Sequence, residues 1–210
     1  MTGHNVTAQP YTPSARVAAA AIAISAIGAL ALQTTLNLDR DGSPLVAAGL
    51  LLRFFTIWSN LAAGIVMAVV ALGRRVAPAI LHALATALAI VGTVYWALLA
   101  GDHHPVGLDR VTNQFHHTLV PAATILWWFA FAPRPRAGWR ALPAVMVAPV
   151  AYAVFALGYG AVSGFYAYFF LDAGTLGWGQ LALNIVGLAL FFLLVGALLM
   201  AIKRLVSARA

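Results

Sequence analysis

The chain has 210 residues, of which 63% are hydrophobic and only 8% are charged, and its mean hydropathy is +0.92. This composition excludes an ordinary soluble domain and is typical of a protein that crosses a membrane several times. The formal net charge is +7, but its distribution along the chain indicates membrane topology, so we expect no nucleic-acid partner. There is no cysteine, which excludes disulfides and thiol chemistry.

Six stretches are long and apolar enough for a membrane-spanning helix, which needs about 20 residues. In chain order they are residues 16–36, 45–72, 79–100, 113–131, 142–163 and 176–202. The connections are too short for a separate domain. The sequence therefore predicts an all-α fold, one polytopic bundle of six transmembrane helices over residues 15–203. Residues 1–14 are expected to form a flexible tail and residues 204–210 a short cytoplasmic tail.

The basic residues divide unequally between the two ends of these stretches. All five acidic residues share one side with Arg40 and Arg110, and Arg53 lies inside the second stretch. The side of the two termini carries nine basic residues: Arg16, Arg74, Arg75, Arg134, Arg136, Arg140, Lys203, Arg204 and Arg209. By the positive-inside rule both termini are cytoplasmic. The Ala-rich, Cys-free composition is typical of a bacterium, so we expect a multi-pass protein of the plasma (inner) membrane.

Polar side chains inside the stretches concentrate toward the outer ends, whereas the inner halves are nearly bare. They include Gln33 to Thr35, Thr56 to Asn60, Tyr95, Asn113 to Thr118, Tyr159, Ser163, Gln180 and Asn184. A transporter that alternates access needs a site near the midplane with routes to both sides. A cluster of polar side chains that opens outward instead suits an enzyme or receptor for an amphipathic molecule of the outer leaflet. The same groups could serve only to hold the helices together.

The segment RFFTIWSN in the second stretch places Arg53, Thr56 and Asn60 at positions i, i+3 and i+7. This spacing predicts that one helix face carries all three side chains. Because the guanidinium stays charged, Arg53 must reach the membrane interface, an acidic residue or an anionic ligand.

The segment VTNQFHHTLVP, residues 111–121, begins the fourth stretch. Gln114, His117, Thr118 and Pro121 share one helical face, with Asn113 one turn before His117. His116 points about 100° away from His117, so the spacing favours His117 as the inward histidine. Pro121 is expected to kink the helix and free a carbonyl group beside the site.

Thr56 and His117 lie at similar depths in the two predicted membrane helices. Together they permit nucleophilic catalysis. A threonine hydroxyl becomes a nucleophile when a base takes its proton, and a neutral imidazole is such a base. Asn60, Asn113 or Arg53 could donate hydrogen bonds to the oxyanion that forms when an ester is attacked. Gln114 and Asn184 complete the candidate substrate-binding residues.

RFFTIWSN followed by NQFHHTLVP resembles the androgen-induced family of multi-helix membrane proteins, including its prokaryotic members. FYAYFFLDAGTLGW, residues 165–178, is similar to the aromatic segment before that family's last helix. The resemblance implies hydrolysis of fatty acid esters of hydroxy fatty acids, with Thr56 as the nucleophile and His117 as the histidine of the segment. It also implies lipid or fatty-ester partners. The first histidine of the family's segment is Gln114 here.

Two other functions stay open. A metal-dependent hydrolase could use the outer histidines and aspartates, namely Asp102, His103, His104, Asp109, His116 and His117, although their spacing matches no strong zinc signature. A non-catalytic lipid-binding protein would use the same cluster of polar side chains to bind a lipid without cleaving it. The leading hypothesis, a Thr-dependent lipid-ester hydrolase with its site on the extracytoplasmic side, requires no cofactor and no metal.

The predicted topology is testable by labelling engineered cysteines in intact cells. Because Ser43 and Gly174 are expected outside, cysteines at these positions should react with an impermeant thiol reagent. A cysteine at Gly138 is expected inside and should stay unlabelled until the cells are permeabilised. The opposite pattern would contradict both the charge argument and an outward-facing site.

Overall fold

The computed structural model describes residues 10–134 and 138–208, without the side chains of residues 207 and 208. Most of the predicted N-terminal tail, together with Arg136 and Arg209, lies outside these residues. The expected all-helical fold is confirmed over the described ranges, which contain no strand.

Nine α-helices follow one another in the described chain, with shorter π and 3₁₀ segments between some of them. They are α1 (Pro13–Leu36), α2 (Leu38–Asp41), α3 (Pro44–Leu51), α4 (Phe55–Ala71), α5 (Pro78–Val94), α6 (Gly107–Gln114), α7 (Val120–Phe131), α8 (Val147–Ser163) and α9 (Ala173–Ala208). π-Helical turns continue α5 over Tyr95–Leu99 and connect α6 to α7 over Phe115–Leu119. 3₁₀ segments precede α8 over Gly138–Met146 and α9 over Phe169–Leu171.

Four helical segments are long and apolar enough to cross a membrane: Pro13–Leu36, Pro78–Leu99, Gly138–Ser163 and Ala173–Val206. α3 and α4 together make a fifth span if the bent pair counts as one. α6, its π-turn and α7 are not among them, and this segment carries the polar residues Asn113 to Thr118. The protein is therefore an all-helical, membrane-associated protein, while the count of six spans and the orientation of the termini stay predictions.

The second stretch does not form one continuous helix. α3 and α4 meet at 105°, and Phe54 between them is extended, with φ −107° and ψ 132°. The carbonyl groups that the break releases are hydrogen-bonded by side chains. Arg53 Nε donates to Leu50 O at 2.9 Å, and Trp58 Nε1 donates to Leu52 O at 2.7 Å. Arg53 thus belongs to the break, and the prediction that it shares one helical face with Thr56 and Asn60 is wrong.

Small residues bring α1 and α4 into close contact. Ala19, Ala23 and Ala26 are buried on α1, and a Cβ on Gly64 of α4 would lie only 2.5 Å from Ile27 Cδ1. Such packing is how membrane helices associate without a hydrophobic driving force between them. It fixes α4, and with it Thr56, in the bundle.

The end of the bundle that is predicted to face inward is more polar than expected from the sequence. Lys203 near the end of α9 is buried, donates to the backbone carbonyl of Trp128 and lies 4.4 Å from the centre of its ring. His82 is fully buried, stacks on Trp128 and contacts Gly196 O through Nε2 at 2.9 Å. These contacts connect α9 to α5 and α7 below the site.

Candidate functional site

The structure brings Thr56 and His117 together. Thr56 lies in the first turn of α4, and its Oγ1 is 3.4 Å from Nε2 of His117 in the second π-turn. The two residues are 61 positions apart in the chain, so the contact depends on the packing of two separate helices.

The second ring nitrogen of His117 defines the tautomer of this imidazole. Nδ1 is 3.1 Å from the backbone oxygen of Asn113. A carbonyl oxygen only accepts hydrogen bonds, so Nδ1 carries the hydrogen and Nε2 presents its lone pair to the Thr56 hydroxyl. This is the orientation that a general base requires.

The π-turn explains why this geometry arises. The amide of Val120 bonds to Phe115 O, one residue further back than in an α-helix, so His116 O lacks its usual intrahelical donor. Asn60 Nδ2 supplies the missing hydrogen bond at 3.0 Å and also donates to Thr56 O at 2.8 Å. Both amide hydrogens of Asn60 are therefore engaged, which leaves none for an oxyanion.

A close approach of α5 completes the support of the π-turn. Pro121 has no amide hydrogen for His117 O, as the sequence analysis predicts, and a Cβ on Gly92 would lie 3.2 Å from that oxygen. A side chain at residue 92 would require α5 and the histidine segment to separate by a few tenths of an ångström.

Tyr95 is the residue that connects the dyad to the outer loop. Its ring stacks on that of His117, with centroids 3.7 Å apart and an interplanar angle of 14°. Asn113 Nδ2 donates to the Tyr95 hydroxyl at 2.8 Å, and this hydroxyl is 3.2 Å from His103 Nδ1. The hydroxyl thus connects Asn113, whose backbone oxygen holds His117, to His103 in the loop after α5.

An apolar cavity of about 130 Å³ opens beside Thr56. It is enclosed by α4, α5, α8, α9 and the segments next to them, and Thr56 and three tyrosines are the polar residues in its wall: Tyr95, Tyr152 and Tyr168. Tyr152 is occupied, because its hydroxyl donates to Arg53 O at 2.7 Å. The cavity has the chemistry to hold a hydrocarbon chain against the Thr56 hydroxyl.

Tyr168 lies next to Thr56 and is a residue that the sequence analysis does not assign. Burial raises the pKa of its phenol, and hydrogen bonding with the side chain and backbone of Thr56 acts in the opposite direction. The phenol is therefore neutral at physiological pH and keeps a hydrogen to donate. The aromatic run before α9 contains it, but no spacing rule connects that run to α4.

A second, polar cavity of about 310 Å³ lies at the end of the site that is predicted to face outward. Tyr95 lines both cavities. The polar residues in this wall come from the loop after α5 and from α6: His103, His104, Arg110, Asn113 and Gln114. Asn113 and Gln114, both predicted as substrate-binding residues, therefore border a polar space that adjoins the dyad.

Arg53 and Asn184 lie apart from the dyad. The Arg53 guanidinium is 4.0 Å from the centre of the Phe165 ring. Asn184 Nδ2 donates to Phe170 O at 3.0 Å, and its Oδ1 accepts from Gln180 at 2.8 Å. These contacts hold the loop between α8 and α9.

Arg53 has no carboxylate partner among the described residues, whose one ion pair joins Arg40 to Asp41 at 2.7 Å. Asp172, the acidic residue nearest to the last helix, instead accepts from the backbone amides of Gly174 and Thr175. The hydrogen bond from Arg40 lowers the pKa of Asp41.

The outer histidines and aspartates do not converge. The rings of His116 and His117 are 6.5 Å apart and nearly perpendicular, at 88°. His116 is buried, with 4% of its surface exposed. Within residues 10–134 and 138–208, no three His, Cys, Asp or Glu residues are placed to hold one metal ion, so the metal-dependent alternative lacks a ligand set there.

No family model, no curated protein and no solved structure matches this chain. The resemblance to the androgen-induced family therefore rests on its short motifs.

The two histidines provide a matched pair for mutation. His117→Ala removes the group that faces Thr56, so ester hydrolysis by the purified protein should fall by about 10²–10⁴-fold. His116→Ala should retain most of the activity, because that ring points away from the hydroxyl. Equal losses in both variants, reversed by added zinc, would favour a metal site instead.

Proposed function

We propose that this protein is an integral membrane lipid-ester hydrolase in which Thr56 is the nucleophile and His117 the base. One observation carries the proposal. The unprotonated Nε2 of His117 faces the Thr56 hydroxyl at 3.4 Å, while Nδ1 is held by Asn113 O, and the hydroxyl lines an apolar cavity.

The reaction has two halves. Thr56 Oγ1 attacks the ester carbonyl carbon while His117 Nε2 takes the hydroxyl proton, and the tetrahedral intermediate collapses to an acyl-threonine. His117 returns the proton to the departing alcohol. A water molecule then attacks the acyl-threonine, with its proton passing to His117, and the fatty acid leaves as Thr56 regains its hydrogen.

Two neighbours stabilise the imidazolium that forms during each half. Asn113 O accepts from Nδ1, and the Tyr95 ring lies parallel to the imidazole at 3.7 Å, where an aromatic face attracts a cation. Both groups are already in place before the proton moves.

We assign the oxyanion donor to Tyr168, because its phenol and Thr56 line the same cavity. Asn60, one of the three donors expected from the sequence, has both amide hydrogens engaged. A preorganised donor of this kind contributes about 3–4 kcal/mol to transition-state stabilisation in other hydrolases.

The substrate we propose is a fatty acid ester of a hydroxy fatty acid or a similar amphipathic ester of the outer leaflet. The apolar cavity suits the acyl chain, and the polar cavity suits the more hydrophilic part of the molecule. The two spaces share Tyr95, beside the dyad that would cleave the bond between the two parts. In this proposal the site faces the extracytoplasmic side of the plasma membrane.

A non-catalytic lipid-binding protein is the second candidate. The same apolar cavity favours it, because a wall of aliphatic and aromatic side chains binds a hydrocarbon chain whether or not an ester is cleaved.

Labelling with a fluorophosphonate separates the two candidates. An activated hydroxyl attacks this reagent, so the purified wild-type protein should be labelled covalently. Thr56→Ala should lose the label, while Thr56→Ser keeps the hydroxyl and should retain it. Label on Thr56→Ala at the wild-type level would rule out Thr56 as the nucleophile, and loss of hydrolysis on adding a chelator would favour a metal enzyme.

A further inference from the structure

The polar cavity is lined by basic and uncharged side chains. Three of its lining residues are Arg110, His103 and His104, and Asn113 and Gln114 add amides. None of its lining residues is acidic. A concave site of this composition favours an anion over a cation or a neutral group.

The acidic residues nearby in the chain do not line this cavity. Asp109 precedes Arg110 on α6, but its carboxylate accepts from Gln33 of α1 at 2.8 Å and does not line the cavity. Neighbouring residues on a helix point about 100° apart, which explains the separation. Arg110 forms no ion pair within the described ranges.

His103 adds an imidazole to the wall of the cavity. Its Nδ1 is 3.2 Å from the Tyr95 hydroxyl, which leaves Nε2 as the ring nitrogen for a ligand. When Nδ1 accepts from that hydroxyl, Nε2 carries a hydrogen and donates to an anion.

We propose that this cavity binds the anionic head group of an amphipathic ligand, a carboxylate or a phosphate, with Arg110 as the principal contact. The planar guanidinium matches either anion with two parallel hydrogen bonds. The inference rests on the proposed function in one respect, namely that the ligand is the ester substrate, whose hydrocarbon chain then occupies the apolar cavity.

This assignment moves the anion-binding role away from Arg53. The Arg53 guanidinium lies over Phe165 and lines neither cavity. Arg110 is in the wall of the polar cavity, on the same helix as Asn113, which positions His117. Head-group recognition and the base thus belong to one continuous helical segment.

Binding of three matched twelve-carbon amphiphiles tests the proposal directly. The full-length protein in a nonionic detergent is titrated with dodecanoate, dodecyl phosphate and dodecanol by calorimetry. Wild type should bind at least one of the two anions more tightly than dodecanol. The tighter of the two anions shows whether the head group is a carboxylate or a phosphate. Arg110→Gln should weaken anion binding about tenfold, as expected for a lost charged hydrogen bond, with dodecanol unchanged.

Arg40→Gln is the matched control, because Arg40 is also exposed near the predicted outer side but pairs with Asp41 and lines neither cavity. It should bind all three amphiphiles like wild type. Arg110→Glu should remove anion selectivity altogether. Equal wild-type affinities for the anions and dodecanol, or anion binding by Arg110→Gln at the wild-type level, would overturn the proposal.

Titration of Thr56→Ala keeps this test separate from that of the hydrolase. If Thr56→Ala binds the anions like wild type while no ester is cleaved by the wild-type protein, the head-group site stands and the enzyme proposal fails. If esters are cleaved but acidic and neutral ones bind and react alike, the enzyme proposal stands and the head-group site fails.

Discussion

The two hydrogen bonds of the Asn60 amide hold the proposed site together. One reaches the backbone oxygen of Thr56 in its own helix, and the other reaches His116 O in the π-turn of a neighbouring segment. Both oxygens are backbone atoms, so Asn60 connects the helix of the nucleophile to the segment of the base directly. A buried carbonyl left without a donor costs about 1–3 kcal/mol, so the released oxygen of His116 favours the register in which His117 reaches Thr56.

The π-turns matter because each changes which groups of a helix are free. In the turn of the histidines, the shift of the Val120 amide to Phe115 O makes His116 O available to Asn60. In the turn after α5, the amide of Ala100 bonds to Tyr95 O at 2.8 Å, and Tyr95 presents its ring to His117 and its hydroxyl to Asn113 and His103. Single π-turns in otherwise α-helical segments occur frequently at functional sites, and here Tyr95 of one π-turn stacks on His117 of the other.

Much of the fold and part of the site follow from the sequence, and the reasons for the misses are specific. Hydrophobic length predicts apolar helices, and helical phase separates the rings of His117 and His116. The expectation that His117 is the inward histidine is wrong for burial, because His116 is buried and His117 only half-buried, although His117 is the one that contacts Thr56. Periodicity alone cannot reveal the break at Arg53, because the residues on both sides are apolar and the released carbonyl groups are paired by side chains, those of Arg53, Trp58 and the distant Tyr152. The contacts of Tyr95 with His117 and His103, and the position of Tyr168 in the cavity beside Thr56, depend on tertiary packing, which a single sequence does not record.

The most direct measurement of the central claim is the mass of the protein during turnover of a slow ester. The purified wild-type protein is mixed with a p-nitrophenyl ester of a long-chain fatty acid, quenched in acid and analysed by intact-mass and peptide mass spectrometry. The account predicts one acyl group per chain, located on Thr56, and its absence in His117→Ala. Release of p-nitrophenol without an acyl group on Thr56, or with the group on another residue, would contradict it.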